Sequence, residues 1–194
     1  MNLYKMYNTP TMLEGYRDAV FNVPELALAY IEKHGPTDKL EKCIAKDPLY
    51  SKQYAVYILK GRFQPGEKAI AKLDYTSYEY AKHALKGRFE LGEDAIAQNP
   101  SYSLLYASLV LKGRFKKGEP LLEKTPFAAC SYAMSVLNHR WPEAEPGIIK
   151  LAHTDIEALN PEDYNEFEDY DGVLDKIDMA KRYFKHFGIE DEFV

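Results

Sequence analysis

Tyr54, Ala55, Ile58 and Leu59 share one face at helical spacing, which predicts an amphipathic helix running from Asp47-Pro48 to Lys60. The pattern returns without a gap at a period of 26 residues, so that Tyr-Ala recurs at Tyr80, Tyr106 and Tyr132. Each helix is followed by a tight Gly-Arg-aromatic turn and then by a shorter helix, roughly Gly66 to Lys72 in the first full copy. Ile70, Ile96, Leu122 and Ile148 anchor the shorter helices. Glu67 stands in the first turn of its helix, where a carboxylate opposes the helix dipole. A fixed period of about 20 to 50 residues is the signature of a repeat architecture, in which one unit cannot bury its apolar face alone.

The punctuation agrees. Asp47 and Asn99 stand where a side chain caps the free amides of a helix, each followed by a proline suited to the first turn. Thr125-Pro126 repeats the motif, and the second copy has Asp74 in place of proline with Thr76 as a further candidate cap. Gly61, Gly87 and Gly113 are expected to supply the left-handed residue that ends the long helix. An earlier, degenerate copy keeps Ala29, Gly35, Glu41 and Ile44 in phase but has Pro36-Thr37 instead of the Arg-aromatic pair. Downstream of Lys150 the phase is lost, and an amphipathic helix from about Val173 to Phe187 is expected to cover the open end. The expected fold is therefore all-α, a short α-solenoid of helix-turn-helix repeats capped at both ends. It divides into an N-terminal cap (1–24), a repeat array (25–151) and an acidic C-terminal capping segment (152–194).

Composition narrows the class. Hydrophobic residues make up 46% and charged residues 28%, the balance of a soluble folded protein. No apolar run is long enough to span a membrane, and the first residues lack the pattern of a secretory signal. Cys43 and Cys130 lie in different columns with no CxxC, so a reducing cytoplasm is the expected location. Residues 154–194 carry 13 acidic and 4 basic side chains, whereas the remainder carries 17 acidic and 21 basic. A mildly basic array thus meets an acidic end, either as a solvated cap, as an intramolecular dock, or as a surface for a basic partner.

The most tempting chemistry is the column Arg62, Arg88, Arg114 and Arg140, each beside Phe63, Phe89, Phe115 or Trp141. With Tyr80 and Tyr106 these guanidinium groups could hold the phosphates and stack the base of a nucleotide-type small molecule. Against this, every arginine has a glutamate five residues later (Glu67, Glu93, Glu119, Glu145), which suits an ion pair that pins the turn in every copy. Stacking demands identical residues four times over; a ligand seldom does, and the balance favours architecture.

Individuality lies in the columns that vary. Column 53 reads Gln53, Glu79, Leu105, Ser131, and column 57 reads Tyr57, His83, Leu109, Ser135. Leu104, Leu105 and Leu109 make the third copy apolar where the others are polar or mixed, and with Met134 and His139 they form the candidate partner surface, for a host protein or for a homodimer. The stretch Glu166 to Gly172 resembles a calcium loop, but Phe167 would fall at its first ligand position, so no metal is expected. His34, His83, His139, His153 and His186 show no metal-ligand spacing, although His139 and His153 flank the last copy. No phosphate-binding loop, nucleophile elbow or zinc-protease motif is present in the sequence, so neither an enzyme nor a cofactor is expected, and nucleic acid is an unfavoured partner.

YASLVLKGRF (Tyr106 to Phe115) and HRWPEAEPGIIK (His139 to Lys150) make the array similar to a tandem helical repeat widespread in bacteriophage proteins. The resemblance covers about residues 25–151 and departs from the pattern at Asn138-His139 and at Asp74. It implies a phage gene product acting in the bacterial cytoplasm. Small phage proteins of this kind often bind and disable a host component, including antiviral defence proteins and their nucleotide signals. The alternative is a structural or assembly adaptor without inhibitory activity.

Overall fold

The computed structural model describes residues 17–154 and 170–189, and all regular structure among them is helical. Most of the expected N-terminal cap (1–16) and the acidic stretch 155–169, which holds the start of the calcium-like loop, lie outside the described residues. The chain forms two compact units, residues 1–95 and 96–194.

The first unit opens with helices Arg17–Val20, Pro24–His34 and Asp38–Ile44. Thr37, standing where later copies carry the Arg-aromatic pair, caps the third of these by accepting the Leu40 amide. Two full copies follow. Each long helix begins as an α-helix (Pro48–Gln53; Asp74–Glu79) and widens into a π-helical turn (Tyr54–Leu59; Tyr80–Leu85). A single 3-10 turn (Gln64–Gly66; Glu90–Gly92) leads into the short helix (Glu67–Ile70; Glu93–Ile96). The second unit repeats this with Pro100–Leu105 widening at Tyr106–Leu111, and Pro126–Tyr132 widening at Ala133–Leu137. Its short helices are Glu119–Glu123 and Glu145–Ala152, and it ends with the helix Tyr170–Phe187.

The caps divide into two kinds. Asp47 Oδ1 accepts the amides of Leu49 and Tyr50 at 2.8 and 3.0 Å, and Asn99 Oδ1 accepts those of Ser101 and Tyr102 at 3.0 and 3.2 Å, as their positions predict. Thr125 and Thr76 do otherwise. Thr125 Oγ1 donates to the Leu121 carbonyl at 2.9 Å and Thr76 Oγ1 to the Ile70 carbonyl at 2.7 Å, so both satisfy the C-terminal end of the preceding short helix. Ser51, Ser77 and Ser103 do the same for the carbonyls of Ile44, Ile70 and Ile96 at 2.8, 3.1 and 3.0 Å.

The left-handed residue is not the glycine. Lys60, Lys86 and Lys112 hold φ of 52, 52 and 51°, one position before the expected glycines, and Asn138 holds 57° before His139. In the widened turn the Ala55 carbonyl receives the amides of both Lys60 and Gly61, the latter at 3.1 Å, and the reversal comes one residue early. Left-handed backbone costs a β-carbon-bearing residue about 1–2 kcal/mol, which the recurring double acceptor at the alanine offsets.

Glycine is demanded elsewhere. A β-carbon on Gly66 would stand 2.6 Å from the Phe63 ring and 2.7 Å from Ser51 Oγ, and one on Gly118 would stand 2.6 Å from Phe115 and 2.7 Å from Ser103 Oγ. At Gly61 the nearest atom would be 3.8 Å away. The fourth copy shows how the restriction is lifted: there Ala144 and Ala129 replace the glycine and serine, and Trp141 lies 44° from the Tyr132 ring. The Phe–Tyr pairs of the other copies sit at 82, 72 and 72°.

Gly66→Ala is therefore expected to lower unfolding free energy by about 1–3 kcal/mol through overpacking, while Gly61→Ala stays within about 0.5 kcal/mol. Urea titration of the two variants measures the difference, and Ser51→Ala added to Gly66→Ala recovers part of the loss. Equal effects at the two glycines would refute this account of the turn.

Candidate functional site

The conserved-looking side chains of the repeat converge on its joints. Arg62 Nε and Nη2 donate to the two oxygens of Glu67 at 2.7 and 3.0 Å. Arg88 meets Glu93 at 2.7 and 3.1 Å, Arg114 meets Glu119 at 2.8 and 2.8 Å, and Arg140 meets Glu145 at 2.8 and 2.9 Å. The five-residue spacing across a tight turn places the guanidinium fork against the carboxylate in the bidentate geometry arginine favours. The glutamates are the buried partners: the Glu93 side chain is 2% exposed, whereas that of Arg88 is 58% exposed and lies over it like a lid.

A tyrosine completes the joints at Glu67, Glu119 and Glu145, and meets Glu41 of the degenerate copy. Tyr80 donates its hydroxyl to Glu67 at 3.0 Å and accepts the Phe63 amide at 2.9 Å, tying the second copy to the first. In the second unit Tyr132 donates to Glu119 and accepts the Phe115 amide, both at 2.8 Å. Tyr54 donates to Glu41 of the degenerate copy at 2.5 Å. Tyr183 of the last helix occupies the same place against the fourth copy, donating to Glu145 and accepting the Trp141 amide at 2.8 Å each. That helix thus imitates the long helix of a further copy, burying Ile177, Ala180, Tyr183 and Phe184. Its period is out of phase with the repeat, so spacing alone does not reveal Tyr183.

Electrostatics follow the geometry. Hydrogen bonding to Arg114 holds the Glu119 carboxyl below the usual carboxylate range, and Arg140 does the same for Glu145. Burial, with the neighbouring carboxylate adding to it, pushes the phenols of Tyr80, Tyr132 and Tyr183 far above their ordinary value, so each remains a donor. Burial likewise pushes the Cys130 thiol up to about 12, where it is inert.

This corrects the tyrosine half of the expected nucleotide site. Tyr80 and Tyr106 are wholly buried, with rings set edge-on against Phe89 and Phe115 and no face offered to a ligand. In the first unit a cleft of about 340 Å³ does lie between Arg62 and Arg88, walled by Glu67, Glu90, Leu85 and Leu91. Its two guanidinium groups face two carboxylates, so a phosphate entering it must compete with charges already matched.

The candidate partner surface divides. Leu105 and Leu109 are exposed, Leu104 and Met134 are half-buried, and Phe127, which the leucine pattern did not single out, is exposed in the same unit. His139 is exposed, its Nδ1 donating to the Arg140 carbonyl at 2.6 Å; His153 Nδ1 donates to the Ile149 carbonyl at 2.9 Å, so each ring serves local backbone. Among the described residues no group of three or more acidic, histidine or cysteine side chains could hold a metal ion, and no helix is long and apolar enough to cross a membrane.

No protein-family model, curated protein or solved structure matches the chain.

The joint makes two measurable claims. Tyr132→Phe leaves the buried Phe115 amide without its acceptor and is expected to cost about 1–3 kcal/mol of unfolding free energy. The second claim concerns pH. Because the folded pKa values of Glu119 and Glu145 lie below the unfolded value of about 4.3, their contribution is complete above that value and disappears as pH falls through the folded ones. Melting temperature is expected to fall steeply below about pH 4, and the Glu119→Gln variant, already lacking one of these carboxylates, to show a shallower acid limb. An unchanged limb would show that these carboxylates do not control acid stability.

Proposed function

We propose that the chain is a non-enzymatic binding protein that works by stoichiometric occlusion or sequestration of a macromolecular partner. One observation carries this reading. The residues repeated in every copy are spent on joints, while the columns that vary place Tyr57, Leu105 and Leu109 on the outside. A surface whose composition changes from copy to copy on an unchanging frame is suited to recognising one irregular partner. Exposed apolar groups of the second unit, Leu105, Leu109 and Phe127, supply the part of such a surface that gains most from leaving water.

The resemblance to phage repeats extends the proposal to a phage product that binds a host component in the bacterial cytoplasm, a defence protein being the preferred target. A nucleotide signal is the less favoured ligand, because the arginines that would read it are already matched by glutamates.

The test compares immobilised wild-type protein with Leu105→Asp/Leu109→Asp in lysate of phage-infected bacteria. The expected result is one host protein retained in stoichiometric amount by the wild type and reduced at least tenfold by the variant, with unchanged circular dichroism. Retention of the same host protein by both would move the surface elsewhere; association with phage particles instead would favour the assembly adaptor.

A further inference from the structure

A buried cation in the first unit has no ion-pair partner among the described residues. Lys52 is 4% exposed, yet no carboxylate among the described residues lies within ion-pair distance of it. Its ammonium donates to the Tyr75 hydroxyl at 3.3 Å and lies 4.9 Å from the centre of the Tyr75 ring and 5.7 Å from that of Tyr57. A neutral hydroxyl and two ring faces stabilise the charge only in part, because an ammonium has three N–H donors and a strong demand for an anion once it leaves water. The joints of the same molecule show the contrast: there every buried charge is matched by a bidentate partner.

The surroundings are those of a surface. Tyr57 is 62% exposed and Tyr75 39%, so the two rings form the outer wall of the enclosure, and a ligand reaches the ammonium only if a ring turns aside. Leu49 and Leu73 are exposed in the same unit. Lys52 and Tyr57 stand in columns 52 and 57, whose third-copy equivalents are Leu104 and Leu109, and Tyr75 stands in the column of Phe127. The columns assigned above to partner recognition therefore change in character from apolar in the third copy to cationic and aromatic here.

We propose that Lys52, Tyr57 and Tyr75 form a recognition site for a carboxylate side chain of an acidic, partly apolar protein segment. The carboxylate would take the N–H donors of Lys52 that Tyr75 does not engage among the described residues, and the flanking aliphatic groups of the segment would lie against the Tyr57 and Tyr75 rings. Two exposed rings over the buried ammonium favour an extended protein segment over a free small anion or nucleotide, which needs a concave site that encloses most of its own surface. The inference rests on the binding-protein reading but involves residues other than the leucines used to test it.

The probe is an acetylated peptide alternating leucine and glutamate, with a glutamine-for-glutamate version as its control. Both are titrated into the full chain while the ring resonances of Tyr57 and Tyr75 are followed by NMR. The glutamate peptide is expected to shift both rings and to bind at least tenfold more tightly than the glutamine peptide, with affinity falling as salt is raised. Lys52→Met, which keeps the aliphatic stem, is expected to abolish that preference. Tyr57→Ala, altering an exposed ring, is expected to weaken the glutamate peptide with the fold intact. Equal binding of the two peptides, an unaltered preference in Lys52→Met, or tighter binding of adenosine monophosphate at the same rings would each overturn the proposal. If the host protein is still captured through Leu105 and Leu109 while this peptide test fails, the carboxylate site falls and the binding-protein reading stands.

Discussion

A buried glutamate, half-buried at Glu119, sits at the centre of each joint, and most of the local structure is arranged to make that burial tolerable. A carboxylate removed from water is costly unless its oxygens are filled with donors. Here they are filled by an arginine fork from the same copy and, at Glu67, Glu119 and Glu145, by the tyrosine hydroxyl of a following helix. The tyrosine also accepts a backbone amide of the aromatic residue in the turn, so one phenol satisfies both a charge and an orphan N–H. Tyr183 shows the requirement most clearly. A helix outside the repeat still brings a tyrosine to Glu145 and to the Trp141 amide.

The turn and the packing are consequences of the same constraint. For the arginine to reach back across its turn, the long helix must end abruptly, and it does so through a widened π-turn closed on the Ala55-type carbonyl. The aromatic ring then lies beneath the turn, against the tyrosine, and excludes a β-carbon at Gly66 and Gly118. The fourth copy alters glycine, serine and phenylalanine together, which is how a packed triplet changes without leaving a clash or a void.

The recurring columns are thus occupied with holding the frame, which makes them the less favoured ligand sites and directs attention to the columns that differ. The apolar character of Leu105 and Leu109 and the buried Lys52, which has no ion pair among the described residues, are both departures from the repeat, on columns that vary from copy to copy. Uniform joints with variable outward positions let the surface change chemistry without disturbing the fold.

Much of this was legible in the sequence because it depends on residues close together along the chain. The 26-residue period, the helix boundaries near Asp47 and Asn99, the last helix ending at Phe187 and the Arg–Glu pairing across five residues all follow from local spacing. Other features are set by contacts distant in sequence or by small backbone adjustments. The left-handed position at Lys60 rather than Gly61 depends on a π-turn that no composition signal marks. The burial of Tyr80, the role of Tyr183 and the enclosure of Lys52 by a tyrosine 23 residues away exist only once helices pack. The sequence by itself determined an all-helical repeat and its register, since periodicity and short-range pairing are properties of the chain. Only the tertiary structure decided which charged side chains are buried and matched, because that depends on which groups leave water together.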